Sequence, residues 1–140
     1  MRDYKIITTF EVYDCLLEGK FTGHFSTKVL EDLYFEQDKI LTSKGYKEGF
    51  NDSVLILYNN KVFYYETLWL AIEKIFADSQ GCDLIEFSDG NIGFIGYYPN
   101  NNKQISFKLL KQATLQDKRF IESFNVTPTI EEYNEKLKIK

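Results

Sequence analysis

A hydrophobic pattern with a period of two begins near the N-terminus, and continuous apolar runs follow in the middle of the chain. Residues 4–12 alternate in this way and are rich in β-branched side chains, which predicts a long first strand. A returning strand is predicted over residues 21–25. Residues 54–65 contain two apolar runs around Asn59-Asn60, a pair that tolerates the positive φ of a tight hairpin turn.

A second hairpin is predicted over residues 81–98. Asp89-Gly90 lies between two apolar runs, and a two-residue type I′ turn needs positive φ at both central residues. The register that follows puts four apolar side chains on one face, with Phe87 opposite Ile92 and Ile85 opposite Phe94. Glu86 is then expected on the other face, with Tyr97 on the same side as Glu86.

The hydrophobic period changes to that of a helix after residue 26. A helix is predicted over Thr27–Ser43, with Ser26 or Thr27 as its N-cap and Gly45 as a left-handed residue after its end. One face of this helix collects the residues predicted to face the core: Val29, Leu30, Leu33, Tyr34, Gln37, Ile40 and Leu41.

Capping motifs predict three more helices: residues 68–79 after Thr67 and ending at Gly81, residues 115–124 after Thr114, and a short terminal helix after Thr129. A last strand is predicted around residues 105–109.

This order of elements predicts an α+β fold in one domain over residues 1–140. We expect a mainly antiparallel sheet of about six to seven strands, built from hairpins, with three to four helices packed on it. The helices are expected to cover one face of the sheet. The hairpin over residues 54–65 is expected at its centre, because both of that hairpin's faces are apolar.

Composition argues against membrane, secreted and metal-binding classes of protein. No apolar run approaches the ~18 residues of a membrane span, and charge near the N-terminus argues against a signal peptide, so a cytoplasmic protein without a membrane partner is expected. Cys15 and Cys82 are expected to be reduced thiols. With His24 as the only histidine, neither a metal site nor a cofactor is predicted.

Three catalytic or nucleotide-binding interpretations agree poorly with the sequence. His24 could be a hydrolase base, but no nucleophile motif accompanies it. Asp14 with the Glu-Gly-Lys of residues 18–20 is similar to a nuclease metal motif but also fits an ordinary turn. Glycines recur every third residue from Gly90 to Gly96, yet they lie in a hairpin, whereas a phosphate loop precedes a helix. We therefore expect a protein that is not an enzyme.

Charge is divided unevenly along the chain, which is net −4. Residues 66–90 contain six acids and one lysine, a net of −5, whereas residues 103–120 have five basic residues and one aspartate, a net of +4. One interpretation is two solvated faces that partly neutralise each other. The other is an acidic rim for a basic protein partner, not nucleic acid, formed by Asp83, Glu86, Asp89, Tyr97 and Tyr98. The exposed side of the first helix, with Glu31, Asp32 and Asp38, is the second candidate.

At the level of class, the chain resembles small cytosolic bacterial immunity proteins. The resemblance rests on its small size, acidic balance, abundant Tyr and Asn, and single α+β domain. It implies a cognate toxin, often a basic nuclease, that is occluded in a tight complex. Two alternatives stay open: a small-molecule-binding or enzymatic α+β domain, and a phage-encoded inhibitor of a host nuclease.

Overall fold

A computed structural model describes residues 3–11, 27–79, 81–98 and 103–139. Strands and helices follow one another as β1 (Tyr4–Glu11), α1 (Thr27–Ser43), β2 (Val54–Tyr58), β3 (Lys61–Tyr65), α2 (Leu68–Ile75), β4 (Gly81–Phe87), β5 (Ile92–Tyr98), β6 (Lys103–Gln112), α3 (Leu115–Glu122) and α4 (Ile130–Ile139). A 3₁₀ turn, Gly49–Asn51, lies between α1 and β2. The strand predicted over residues 21–25 lies outside the described residues, as do His24 and Cys15.

The described strands form one six-stranded sheet in the order β1-β4-β5-β6-β2-β3. Every neighbouring pair is antiparallel, and four helices pack on the sheet. The predicted α+β class, with a mainly antiparallel sheet, is therefore confirmed.

Helices cover both faces of the sheet, so the expectation that they would cover one face is wrong. The larger core lies between the sheet and α1, the 3₁₀ turn and α2; its fully buried members include Leu41, Phe50, Leu68 and Phe94. A smaller core on the opposite face lies beneath α3 and α4 and contains Leu55, Val62, Phe120 and Tyr133. The smaller core explains why both faces of the β2–β3 hairpin are apolar.

That hairpin lies at one end of the sheet, so its predicted central position is also wrong. The outer edge of β3 is protected by the segment that joins α3 to α4, because the Val62 N–H donates to the Pro128 carbonyl at 3.0 Å and Lys61 bridges to Thr129. Its predicted turn is confirmed, since Asn59 and Asn60 have φ of 52° and 63°.

The β4–β5 hairpin has a three-residue loop, which corrects the predicted two-residue turn. Gly90 N–H donates to the Phe87 carbonyl at 2.9 Å, and Phe87 N–H donates to the Asn91 carbonyl at 2.8 Å. Gly90, at φ 89°, takes the left-handed position that such loops require. Leu84 consequently pairs with Phe94.

The extra loop residue shifts the register by one and exchanges the faces of one strand relative to the other. Phe87 and Phe94 therefore lie on opposite faces, and the predicted sharing of one face is wrong. Ile85 and Ile92 are buried as expected, but also on opposite faces.

Local signals at the starts of α2, α3 and α4 and at the end of α1 are confirmed, whereas Ser26, one of the two predicted N-caps of α1, lies outside the described residues. After α1, Tyr46 N–H donates to the Leu41 carbonyl at 3.1 Å around Gly45, whose φ is 102°. The Thr67 hydroxyl accepts from Leu70 N–H at 3.0 Å, and capping boxes begin α3 and α4. One prediction is wrong: α2 ends at Ile75, and Gly81 begins β4.

Two glycines of β5 are explained by close packing. A Cβ on Gly93 would come within 2.1 Å of the Phe107 carbonyl oxygen, and one on Gly96 within 2.6 Å of the Phe76 ring. Close backbone approach is therefore the reason for these in-strand glycines.

Candidate functional site

The five residues of the predicted acidic rim do not share one surface. Asp83 and Tyr97 lie on the face opposite α1, where the Tyr97 hydroxyl donates to Asp83 Oδ2 at 2.7 Å. Asp83 is only 5% exposed, so little of its charge is presented to solvent. The expectation that Tyr97 lies on the Glu86 side is wrong, because the register shift separates them.

Glu86 and Tyr98 lie on the face that α1 and α2 cover. Glu86 forms ion pairs with Lys5 at 3.1 Å and Lys44 at 3.5 Å, and the hydrogen bond from Lys5 is the main cause of its lowered pKa. The Tyr98 hydroxyl donates to the Ile75 carbonyl at 3.2 Å at the end of α2. Burial raises the pKa of Tyr98. Both side chains thus hold parts of the fold together.

Asp89 is the exposed member of the rim, and it pairs with Lys108 on β6. The hydrogen bond from Lys108 lowers the pKa of Asp89. Glu66 lies 3.8 Å from Lys118 in a second ion pair between the acidic and basic stretches. These contacts favour the interpretation in which the two stretches partly neutralise each other; partner binding by the five rim residues stays a prediction.

The exposed side of α1 presents a different combination of residues. Phe35 is 62% exposed, and Glu31, Asp32 and Glu36 are exposed around it. Across the described parts of the chain, none of these three carboxylates forms an ion pair or hydrogen bond with another residue. We call Phe35 with these three carboxylates the Phe35 surface.

An aromatic stack supports Phe35 from behind. Its ring packs edge-on against Tyr34, with 5.2 Å between centroids. Tyr34 stacks on Trp69 of α2 at 5.3 Å with an interplanar angle of 8°, and also on Phe50 at 5.1 Å. Phe50 contacts Phe94 in the sheet at 6.2 Å. The exposed ring is therefore connected to the core through packed side chains.

Asp38, which the sequence placed with Glu31 and Asp32 on the exposed side of the first helix, has a structural role. Its Oδ1 accepts from Phe50 N–H at 3.2 Å, which fixes the 3₁₀ turn against α1. A Cβ on Gly49 would lie 1.8 Å from Asp38 Oδ1 and would displace that carboxylate, and the φ of 57° at Gly49 also favours glycine. Burial, together with the charge of Asp38, raises the pKa of Tyr34.

Phe35 is absent from the site predicted from the sequence, because that prediction depended on tyrosines and on charge. The available signal was an aromatic residue at a helix position that the 3.6-residue period assigns to solvent. An exposed Phe on the solvent side of a helix is more informative than another tyrosine at a core edge.

A cleft of about 330 Å³ lies between the C-terminal end of α1 and the sheet. Residues 44–46 line one side, and residues 90–92 and 109–112 line the rest. Its volume is near the lower limit of small-ligand pockets. Among the described residues, no group of three or more His, Cys, Asp or Glu side chains could hold a metal ion.

No helix within the described ranges is long and apolar enough to cross a membrane. Comparison of the chain with protein families, curated proteins and solved structures gave no match. The site is therefore interpreted from its own geometry.

Proposed function

We propose that this chain is a non-enzymatic, cytoplasmic binding protein that recognises and neutralises a basic bacterial toxin, as immunity proteins do. The observation that carries the proposal is the Phe35 surface, where an exposed aromatic ring is surrounded by carboxylates. This surface replaces the hairpin rim as the proposed contact, because the carboxylates of that rim are occupied within the chain.

Aromatic anchors account for much of the binding energy at protein interfaces when they enter a desolvated pocket on the partner. Phe35 suits this role because its contact with Tyr34 restricts the ring before binding. Less side-chain freedom is then lost on association.

The surrounding carboxylates suit a basic partner. Glu31, Asp32 and Glu36 are exposed, so they can attract a positively charged surface over a distance and increase the association rate. A nuclease toxin has such a surface because its substrate is polyanionic. Covering that surface would block access of the substrate.

The first experiment identifies the partner with variants that differ in one exposed side chain. Tagged wild-type protein, Phe35→Ala and Leu115→Ala are incubated with extracts of the native host and of competing strains, and captured proteins are quantified. Leu115 is the matched control, since it is 61% exposed and lies on α3. We expect one basic protein to be retained by wild type and Leu115→Ala and lost with Phe35→Ala.

The captured protein is then produced in a test bacterium with and without this chain. Growth arrest that the wild-type chain relieves, and Phe35→Ala does not, would support the immunity function. Recovery of a host nuclease would favour the phage-type inhibitor, whereas protection that is independent of Phe35 would contradict the proposed contact.

A further inference from the structure

Strand β6 extends beyond the part of β5 that pairs with it. The β5–β6 ladder ends at the pair Gly93–Lys108, but β6 continues to Gln112 and pairs there, among the described strands, only with residues 54–56 of β2. The β4–β5 hairpin turns away at its three-residue loop, which leaves residues 109–112 without a described strand on that side. These four residues form a short open edge inside the sheet, between its two outer strands β1 and β3.

The cleft described above lies along this open edge. Its far wall is the turn at residues 44–46, which the hydrogen bond from Tyr46 N–H to the Leu41 carbonyl fixes in place. Its ten lining residues include two lysines, Lys44 and Lys111, and no carboxylate. The cleft therefore combines a sheet edge, an opposite wall formed by a hydrogen-bonded turn, and two lysine side chains.

We propose that this open edge binds an extended, acidic peptide segment of a protein partner by strand addition. In such binding, backbone N–H and C=O groups of the incoming segment pair with those of the edge strand. Four residues of a strand span about 13 Å, so a segment of about four residues would match the open edge.

The lysines give the site its preference for acidic side chains. The Lys44 ammonium lies 3.5 Å from Glu86, and that of Lys111 lies 3.1 Å from Asp117, yet both side chains remain substantially exposed. An ammonium group has three donors, so each lysine can donate a hydrogen bond to a second carboxylate. Side chains alternate along an added strand, which puts every second one on the same side of the sheet.

This site is separate from the Phe35 surface. Lys44 follows Phe35 by nine residues, or about 13 Å along a helix axis. The two surfaces also differ in sign, because acidic side chains surround Phe35 and lysines line the cleft.

The test uses a synthetic peptide of alternating valine and glutamate, acetylated and amidated at its ends, titrated into the ¹⁵N-labelled full chain. We expect saturable amide shifts at Leu110, Lys111 and Asn91 at millimolar peptide. Methylation of the peptide's central backbone nitrogens should weaken binding about tenfold, because it removes strand hydrogen bonds.

Charge is tested with Lys44→Gln/Lys111→Gln, which should weaken binding about fivefold. The control Lys118→Gln removes a lysine outside the cleft and should leave the affinity unchanged. Absence of shifts at residues 109–112 would overturn the proposal. Equal binding of the methylated peptide, or of a peptide with lysine in place of glutamate, would overturn it as well.

Discussion

Some aromatic residues stabilise the fold, whereas others are available to a partner. A tyrosine whose hydroxyl forms a hydrogen bond within the chain belongs to the first group. Tyr97 and Tyr98 both donate within the chain, to Asp83 and to the Ile75 carbonyl. Phe35 has no hydroxyl, is largely exposed and packs edge-on against the Tyr34 ring. Tyrosine is frequent at interfaces, so the sequence favoured Tyr97 and Tyr98 as partner-binding residues. Because each hydroxyl has a hydrogen-bond partner inside the fold, both tyrosines have a structural role instead.

Tyr97→Phe should lower the free energy of unfolding by about 1–2 kcal/mol, because it removes a donor from the nearly buried Asp83 carboxylate. Urea denaturation at neutral pH measures the change. Tyr64→Phe is the control: its hydroxyl donates at 3.3 Å to the neutral Ser53 hydroxyl, and its loss should cost less. A Tyr97→Phe variant as stable as wild type would contradict the structural role.

At the scale of elements, the sequence predicts local structure well where a position needs a particular backbone conformation or cap and few residue types can provide it. Asn59-Asn60, the Thr67 cap and the end of α1 at Gly45 are of this kind. Asp89-Gly90 is different, since the pair fits both a two-residue turn and a three-residue loop with glycine last. The choice between them depends on packing of the strands against both cores, which the local sequence does not contain.

Asn59→Ala should destabilise the chain by about 1 kcal/mol, because alanine is strained at the positive φ of this position. Asn59→Gly should stay within about 0.5 kcal/mol of wild type, since glycine adopts positive φ freely. Urea denaturation of both variants separates backbone strain from loss of the exposed side chain. Equal stabilities of the two variants would contradict the strain.

The capping box of α3 should give stability that depends on pH. Burial alone would raise the pKa of Asp117, but hydrogen bonds from Thr114 and Lys111 outweigh it and lower the pKa below its ordinary 3.8. The ionised cap thus stabilises the fold above pH 3.8, and this contribution is lost as the pH falls through the lowered value.

Asp117→Asn should therefore cost about 1 kcal/mol at pH 7 and progressively less in acid. Unfolding curves of wild type and variant, recorded between neutral and acidic pH, test this convergence. Glu122→Gln is a control at the other end of the same helix. A difference that is constant with pH would show that charge on Asp117 does not contribute.

At the scale of the whole molecule, the sequence predicts the α+β class but not the arrangement of its parts. The order β1-β4-β5-β6-β2-β3 pairs segments far apart in the chain, and no local pattern specifies such pairings. The prediction of the acidic rim assumed that charged residues close in the sequence share one surface. It failed for the same reason, because the local sequence does not contain the pairing of distant segments. Lys108 of β6 pairs with Asp89, and Lys44, just after α1, pairs with Glu86.

The exposed carboxylates around Phe35 should orient a basic partner toward this side of the molecule. The carboxylates around Phe35 should increase the association rate, and the ring itself should slow dissociation. Glu31→Lys/Asp32→Lys should accordingly reduce the association rate constant and weaken its dependence on salt. Dissociation of this variant should change little.

Dissociation kinetics of Phe35→Ala from the captured partner test the proposed contact most directly. If Phe35 is an anchor worth about 2 kcal/mol, its removal should increase the dissociation rate constant about thirtyfold, while Leu115→Ala stays close to wild type. Urea denaturation of Phe35→Ala should confirm that the variant remains folded, because the ring is 62% exposed. A folded Phe35→Ala variant that dissociates within about twofold of the wild-type rate would contradict the central claim.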